Sequence, residues 1–241
     1  MPDASLLLAA LLAVALGSVL QAASGVGAGF VMVPMLAWID IRLVPGPMIF
    51  GSLALSGLMS WRERGAIDRH RLPLIVAGLL PGSLLGGWVL SAVPAERLGL
   101  VFGTVLLLAI ALTLGGRALR PTRRLAFAAG FVAGAMGAST GVGAPALAIL
   151  YQREAGATVR ATLALLYTIA SSLIIAVLAA FGRFGPQEAA SGAALMPGFL
   201  LGWWLAERLR RRLSHAATRP LVLGACALAA LALIWRSLAA G

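Results

Sequence analysis

Apolar residues run through this chain in long blocks, separated by short polar punctuation. Eight blocks stand out: Leu6–Ala22, Pro47–Trp61, Leu72–Val93, Leu98–Leu114, Leu125–Met136, Val159–Phe181, Ala189–Ala206 and Leu221–Trp235. Several approach the roughly 18 to 20 residues that a helix needs to cross the hydrocarbon of a bilayer. No stretch of domain size remains between them. The pattern predicts an all-α polytopic membrane protein, with residues 1–241 forming a single integral membrane domain.

The blocks also repeat. Ser24-Gly25-Val26-Gly27-Ala28 returns 116 residues later as Thr140-Gly141-Val142-Gly143-Ala144. Pro81-Gly82 with Leu84-Leu85-Gly86 and Trp88 returns as Pro197-Gly198 with Leu200-Leu201-Gly202 and Trp204, and Ser52 and Ser56 return as Thr168 and Ser172. One offset links all three pairs, which predicts two structural repeats, residues 4–114 and 125–238.

Arginine placement gives a topology. All 19 basic residues are arginine, and all but Arg42, Arg97, Arg183 and Arg236 fall on one side if Arg62–Arg71, Arg117–Arg124 and Arg208–Arg219 are cytoplasmic loops. Two full spans separate the first two of these loops. Between the second and third lie two spans and the glycine-broken segment Leu125–Gln152. That segment must therefore leave and return on one side, as a hairpin bent near Ser139–Pro145. The same argument makes Leu6–Ile39 a hairpin bent near Ser24–Gly29, although Leu6–Ala22 is long enough to cross fully. Each repeat is then one glycine-broken helical hairpin followed by three transmembrane helices. Three is odd, so the two repeats are inverted, and both chain ends lie outside.

Composition agrees. The chain is 61% hydrophobic and 11% charged, with mean hydropathy +0.97, too apolar for a soluble globule. The net charge of +11 raises nucleic acid as a partner. The arginines, however, sit in short loops without an aromatic stacking surface, so they read as topology signals. Asp3 is the only charge ahead of the first block, which argues against a cleaved signal peptide. Cys226 stands alone and can form no disulfide within the chain.

The chemistry available at depth is neutral. All eight carboxylates lie in or beside loops, and neither His70 nor His215 falls inside a block. Carboxylate proton relays, aspartate-built sodium sites and cation antiport through a buried glutamate lose support. What remains is Gln21, Ser24, Ser52, Ser56, Ser139, Thr140, Thr168, Ser171 and Ser172, beside the breaks Gly25–Gly29 and Gly141–Pro145. Breaking a helix in hydrocarbon frees backbone N–H groups, which carry partial positive charge at a half-helix start. Two such starts meeting at the midplane favour an anion. The candidate substrate-binding set is Gln21, Ser24, Gly25, Gly27, Gly29, Ser52, Ser56, Ser139, Thr140, Gly141, Gly143, Pro145, Thr168 and Ser172. No catalytic residue, metal ligand or cofactor is expected.

Each of these signals has a plainer alternative. Glycine pairs also permit close helix packing, and a serine in a span commonly bonds to its own backbone. Gly78, Gly82 and Gly86, like Gly198 and Gly202, read as helix contacts, within the chain or in a homodimer. Gly25-x-Gly27 lacks the strand and ribose-binding acid of a dinucleotide fingerprint, and no Gly-Lys-Ser/Thr forms a P-loop. A serine protease built on Ser24 lacks a base within any span.

These residues carry a resemblance. Gly25-Val26-Gly27-Ala28-Gly29-Phe30-Val31-Met32-Val33-Pro34 resembles the first signature of the sulfite exporter TauE/SafE family, also called toluene-sulfonate uptake permeases. Arg64-Gly65-Ala66-Ile67-Asp68 resembles its basic loop, and Ser139 to Pro145 its second signature. Family signatures often carry a further glycine where this chain has Ala28 and Ala144. The resemblance implies a multi-pass transporter of the bacterial inner membrane, exporting sulfite or a related organosulfonate, with a small anion and the lipid bilayer as partners. A passive anion channel or uniporter is the alternative.

Overall fold

The computed structural model describes residues 4–24, 28–115, 122–151, 154, 156–209 and 215–239. Among them there is no strand. The long helices are α1 (Ala4–Ser24), α2 (Ala28–Ile39), α3 (Gly46–Arg62), α4 (Leu72–Ala92) and α5 (Leu98–Gly115). Then come α6 (Arg123–Thr140), the single-turn α7 (Ala144–Ala148), α8 (Gly156–Ala180), α9 (Pro186–Leu209) and α10 (His215–Ala239). Among the described residues, five helices are long and apolar enough to cross a membrane: α1, α4, α5, α8 and α9. Leu8, Leu12, Leu84, Leu108, Leu201 and Leu228 are exposed on the outside, where lipid rather than water is the compatible solvent.

Sequence chemistry sets the boundaries. Thr122 caps α6, its Oγ1 accepting from the Leu125 N–H at 3.2 Å. Gly141 ends α6 in the left-handed region at φ 82° and donates its N–H to Gly137 O at 2.7 Å. The second glycine-rich segment thus interrupts a helix; of the first, residues 25–27 lie outside the described residues, between α1 and α2. The two returns differ in length. The apolar run behind the first break lasts from Ala28 to Ile39 and supports a 12-residue helix. The run behind the second ends at Tyr151, before Gln152-Arg153-Glu154. It supports only five helical residues and a 3₁₀ turn over Ile149–Tyr151.

Small residues decide the closest helix pairs. α4 and α6 run parallel, with Gly78 against the backbone of Phe127 and Phe131, Gly82 against Phe131 and Gly86 against Ala135. Gly130 and Gly134 on α6 face Ile75 and Leu79 in return. α1 and α9 form the second such pair, with Gly198 against Leu11 and Val14 and Gly202 against Ala15 and Ser18. The two glycine stripes are therefore helix contacts within the chain. A shift of 116 residues carries α1, α3, α4 and α5 onto α6, α8, α9 and α10. It also exchanges the α4–α6 pair for the α1–α9 pair. Helices matched by this shift run antiparallel: Gly99 and Gly103 of α5 pack against Leu233 and Ala230 of α10, respectively, and Glu63, just past the end of α3, pairs with Arg160 in the first turns of α8.

Charge is segregated to two faces. On one, Arg71 bridges Asp68 at 3.3 Å and Glu154 at 3.0 Å, Arg160 pairs with Glu63 at 3.3 Å, and Arg62 pairs with Glu207 at 3.1 Å. The Asp68 N–H donates to Thr162 Oγ1 at 2.9 Å. The parallel α4–α6 pair and the antiparallel α5–α10 pair bring the starts of α6 and α10 to this face as well. On the opposite face lie Arg42, Arg97, Arg183 and Arg236. Arg42 pairs with Asp40 at 3.0 Å, Arg183 donates to Ser91 O at 3.0 Å, and Arg236 lies 5.4 Å over the Trp38 ring. Arg97 lies in the turn before α5, beside Glu96, whose backbone O accepts from Ser237. Burial works to raise the Asp40 carboxyl, but the hydrogen bonds from Arg42 outweigh it and hold the group below its ordinary value. α1 starts and α10 ends toward this second face.

Candidate functional site between the two helix breaks

The returns from the two breaks touch. A Cβ on Gly29 would meet Val142 Cγ2 at 3.1 Å and Gly141 O at 3.3 Å. Beside this contact lies a cavity of about 90 Å³, at the level of the middle of α4 and α8. Its lining brings together both halves. Gln21, Ala28, Gly29 and Met32 come from the first hairpin, and Met48, Ile49 and Ser52 from α3. Ala133, Gly137 and Gly141 to Ala144 come from the second hairpin, and Tyr167, Ala170, Ser171 and Ile174 from α8. Leu79 and Leu147 complete the wall.

Five of the fourteen residues singled out by sequence line this cavity: Gln21, Gly29, Ser52, Gly141 and Gly143. Gly25 and Gly27 lie outside the described residues, as does the Ser24 side chain. Ser56, Ser139, Thr140, Pro145, Thr168 and Ser172 are not part of the lining. Pro145 is buried at the start of α7. The hydroxyls of the others turn back onto their own helices. Ser56 donates to Ser52 O at 3.0 Å, Ser139 to Ala135 O at 2.8 Å and Thr140 to Met136 O at 2.8 Å. Thr168 donates to Ala164 O and Ser172 to Thr168 O, each at 2.9 Å. The hydrocarbon setting explains this, because an unmade hydroxyl bond is costly there and the i−4 carbonyl is always within reach. Thr140 does a second job, accepting from the Val142 N–H at 3.3 Å and bracing the break.

Ser52 donates to Ile49 O at 2.8 Å, yet it borders the cavity and its hydroxyl can rotate toward cargo. Tyr167 and Ser171 were not singled out as contacts, and both line the wall. A signal for them existed. Tyr167, Ala170, Ser171 and Ile174 follow the i, i+3, i+4, i+7 spacing of one helix face. The internal repeat pointed instead to Thr168 and Ser172.

The lining is chiefly apolar, with polar groups from Gln21, Ser52, Ser171 and Tyr167 and backbone from the breaks. The first-turn N–H groups of α2 and α7 have no acceptor within their own helices. Such a lining is compatible with a small polar solute. Among the described residues it offers no nucleophile–base pair, and no three His, Cys, Asp or Glu side chains gather as metal ligands.

The family model described as Sulfite exporter TauE/SafE matches residues 9–233, nearly the whole chain. The chain belongs to the sulfite exporter TauE/SafE family. No curated protein and no solved structure matches it. Membership in the TauE/SafE family makes the chain a membrane transporter rather than an enzyme. It implies export of an anion of the sulfite or sulfonate type, and the apolar helices accord with a multi-pass membrane protein. Both TauE/SafE signatures of the sequence lie within the matched region, at the two helix breaks.

Proposed function

We propose that the protein is a secondary transporter that exports sulfite, or an organosulfonate of similar size, across the bacterial inner membrane. Cargo sits in the cavity between the two helix breaks, held by backbone N–H groups, Gln21 and the hydroxyls of Ser52, Ser171 and Tyr167. Residues 4–114 and 125–238 act as two inverted repeats, and movement of one against the other opens the cavity to each side in turn. The antiparallel course of α3 with α8 and of α5 with α10 supports inversion. A two-fold axis along the membrane normal would leave matched helices parallel, whereas an axis in the membrane plane reverses them. The arginine-rich face is then cytoplasmic.

The observation that carries the reading is that the start of α2, just after the first glycine-rich segment, and the second break border one cavity. The test is sulfite flux from liposomes holding the purified protein. Ala170→Leu fills the cavity from α8 and is expected to cut flux at least tenfold, while Gly57→Ala, where an added Cβ meets nothing within 4 Å, leaves it unchanged. Equal flux in the wild type and Ala170→Leu would remove the cavity from the path.

One observation favours a second reading, uniport without ion coupling: the described lining holds no carboxylate or histidine to relay a proton. A proton gradient that drives sulfite accumulation would exclude it.

A further inference from the structure

The cavity has a constraint on charge as well as size. Among the described residues, no Arg, His, Asp or Glu lines it, and residues 24–27, next to it in the chain, are Ser, Gly, Val and Gly. The charged side chains of the described hairpins and helices are held at the two faces. Glu63, Asp68, Arg71, Glu154 and Arg160 bind one another at one face, and Asp40 and Arg42 pair at the other. Cargo in the cavity therefore meets only dipoles from the described lining. The cost of moving an ion from water into a weakly polarisable setting rises with the square of its charge, so a dianion costs about four times as much as a monoanion. Dipolar attraction rises only in proportion to charge. A nest of amide and hydroxyl dipoles thus favours single charge. The volume, about 90 Å³, has room for a few water-sized groups and is far below the roughly 300–1,000 Å³ of pockets for drug-sized ligands.

We propose that the species carried is a small monoanionic oxoacid, so that sulfite crosses as hydrogen sulfite and not as the dianion. This rests on the transport reading above and narrows it. Sulfite suits the test because its second proton is lost near neutral pH, whereas methanesulfonate is a monoanion and sulfate a dianion throughout the same range.

The experiment measures flux of each anion in proteoliposomes with the same pH on both sides, corrected for protein-free vesicles. Sulfite flux at fixed, subsaturating total concentration is expected to fall about tenfold for each pH unit above its second pKa. Methanesulfonate flux should stay level over the same range, and sulfate should remain at the protein-free background. Tyr167 is the one ionisable side chain of the described lining, so Tyr167→Phe should keep the sulfite slope whatever its own rate. Sulfite flux that holds or rises with pH while methanesulfonate stays level would overturn the proposal and leave sulfur-anion transport standing. So would sulfate flux equal to that of methanesulfonate. If no sulfur anion moves at any pH, the transport reading fails, and the monoanion proposal with it.

Discussion

At Gly82 an alanine would push its methyl group into the Phe131 backbone carbonyl. Two helix backbones must part to admit it, so Gly82→Ala should cost about 1–3 kcal/mol and lower the midpoint of thermal unfolding in detergent. At Gly57 the same change meets open space. It should be neutral or stabilising by up to about 1 kcal/mol, since alanine is the better helix former. Gly141 answers to a different cause. Its left-handed backbone at φ 82° and the nearby Met48 side chain both oppose a Cβ. Gly141→Ala should therefore cost about 1–2 kcal/mol from backbone strain alone and reduce sulfite flux by reshaping the break. Unfolding midpoints and flux, measured on one preparation, check both effects.

Among the helices, a polar residue counts by the face it occupies. Ser52 borders the cavity, while Thr168 and Ser172 bond along α8 and miss it. Ser52→Ala is expected to lower sulfite flux several-fold, and the double variant Thr168→Val with Ser172→Ala to leave it within about twofold, an outcome that radioactive or colorimetric sulfite assays resolve. Much at this scale was legible in the sequence. Long apolar blocks announced α4, α5, α8 and α9, and the glycine motif at Gly141–Pro145 located the second break, while residues 25–27 of the first motif lie outside the described residues. The stripe through Gly78, Gly82 and Gly86 was readable as packing because glycine at every fourth position has that one common use in a helix. The cavity face of α8 was not legible, because the match between Ser56 and Ser172 reports an equivalent place in the sequence and not the rotation of a helix toward the cavity. The shortness of α7 was visible in principle, in the polar triplet Gln152-Arg153-Glu154 that ends its apolar run.

For the whole molecule, the division of charge into two faces predicts sidedness. With buried Cys226 first replaced by alanine, cysteines at Arg64 and Arg97 should react with an impermeant thiol reagent from opposite sides of the membrane, Arg97→Cys from outside. Labelling of both from one side would contradict the topology. The arginine pairs themselves contribute little to stability, since partly exposed ion pairs are worth about 0.2–1 kcal/mol each. Their arrangement matters more than their strength. Arg160 and Glu63 join the loop after α3 to α8, and Arg71 and Glu154 join that loop to the second hairpin, so the first half holds the second at this face. Because the ionised groups of the described residues stay at the two surfaces, the electric potential across the membrane would act on cargo in the proposed cavity itself. A monoanion leaving a cell that is 100 mV negative inside gains about 2.3 kcal/mol, equivalent to a roughly 50-fold outward concentration ratio. Under the uniport reading, resting voltage alone would then drive expulsion, with no partner ion spent.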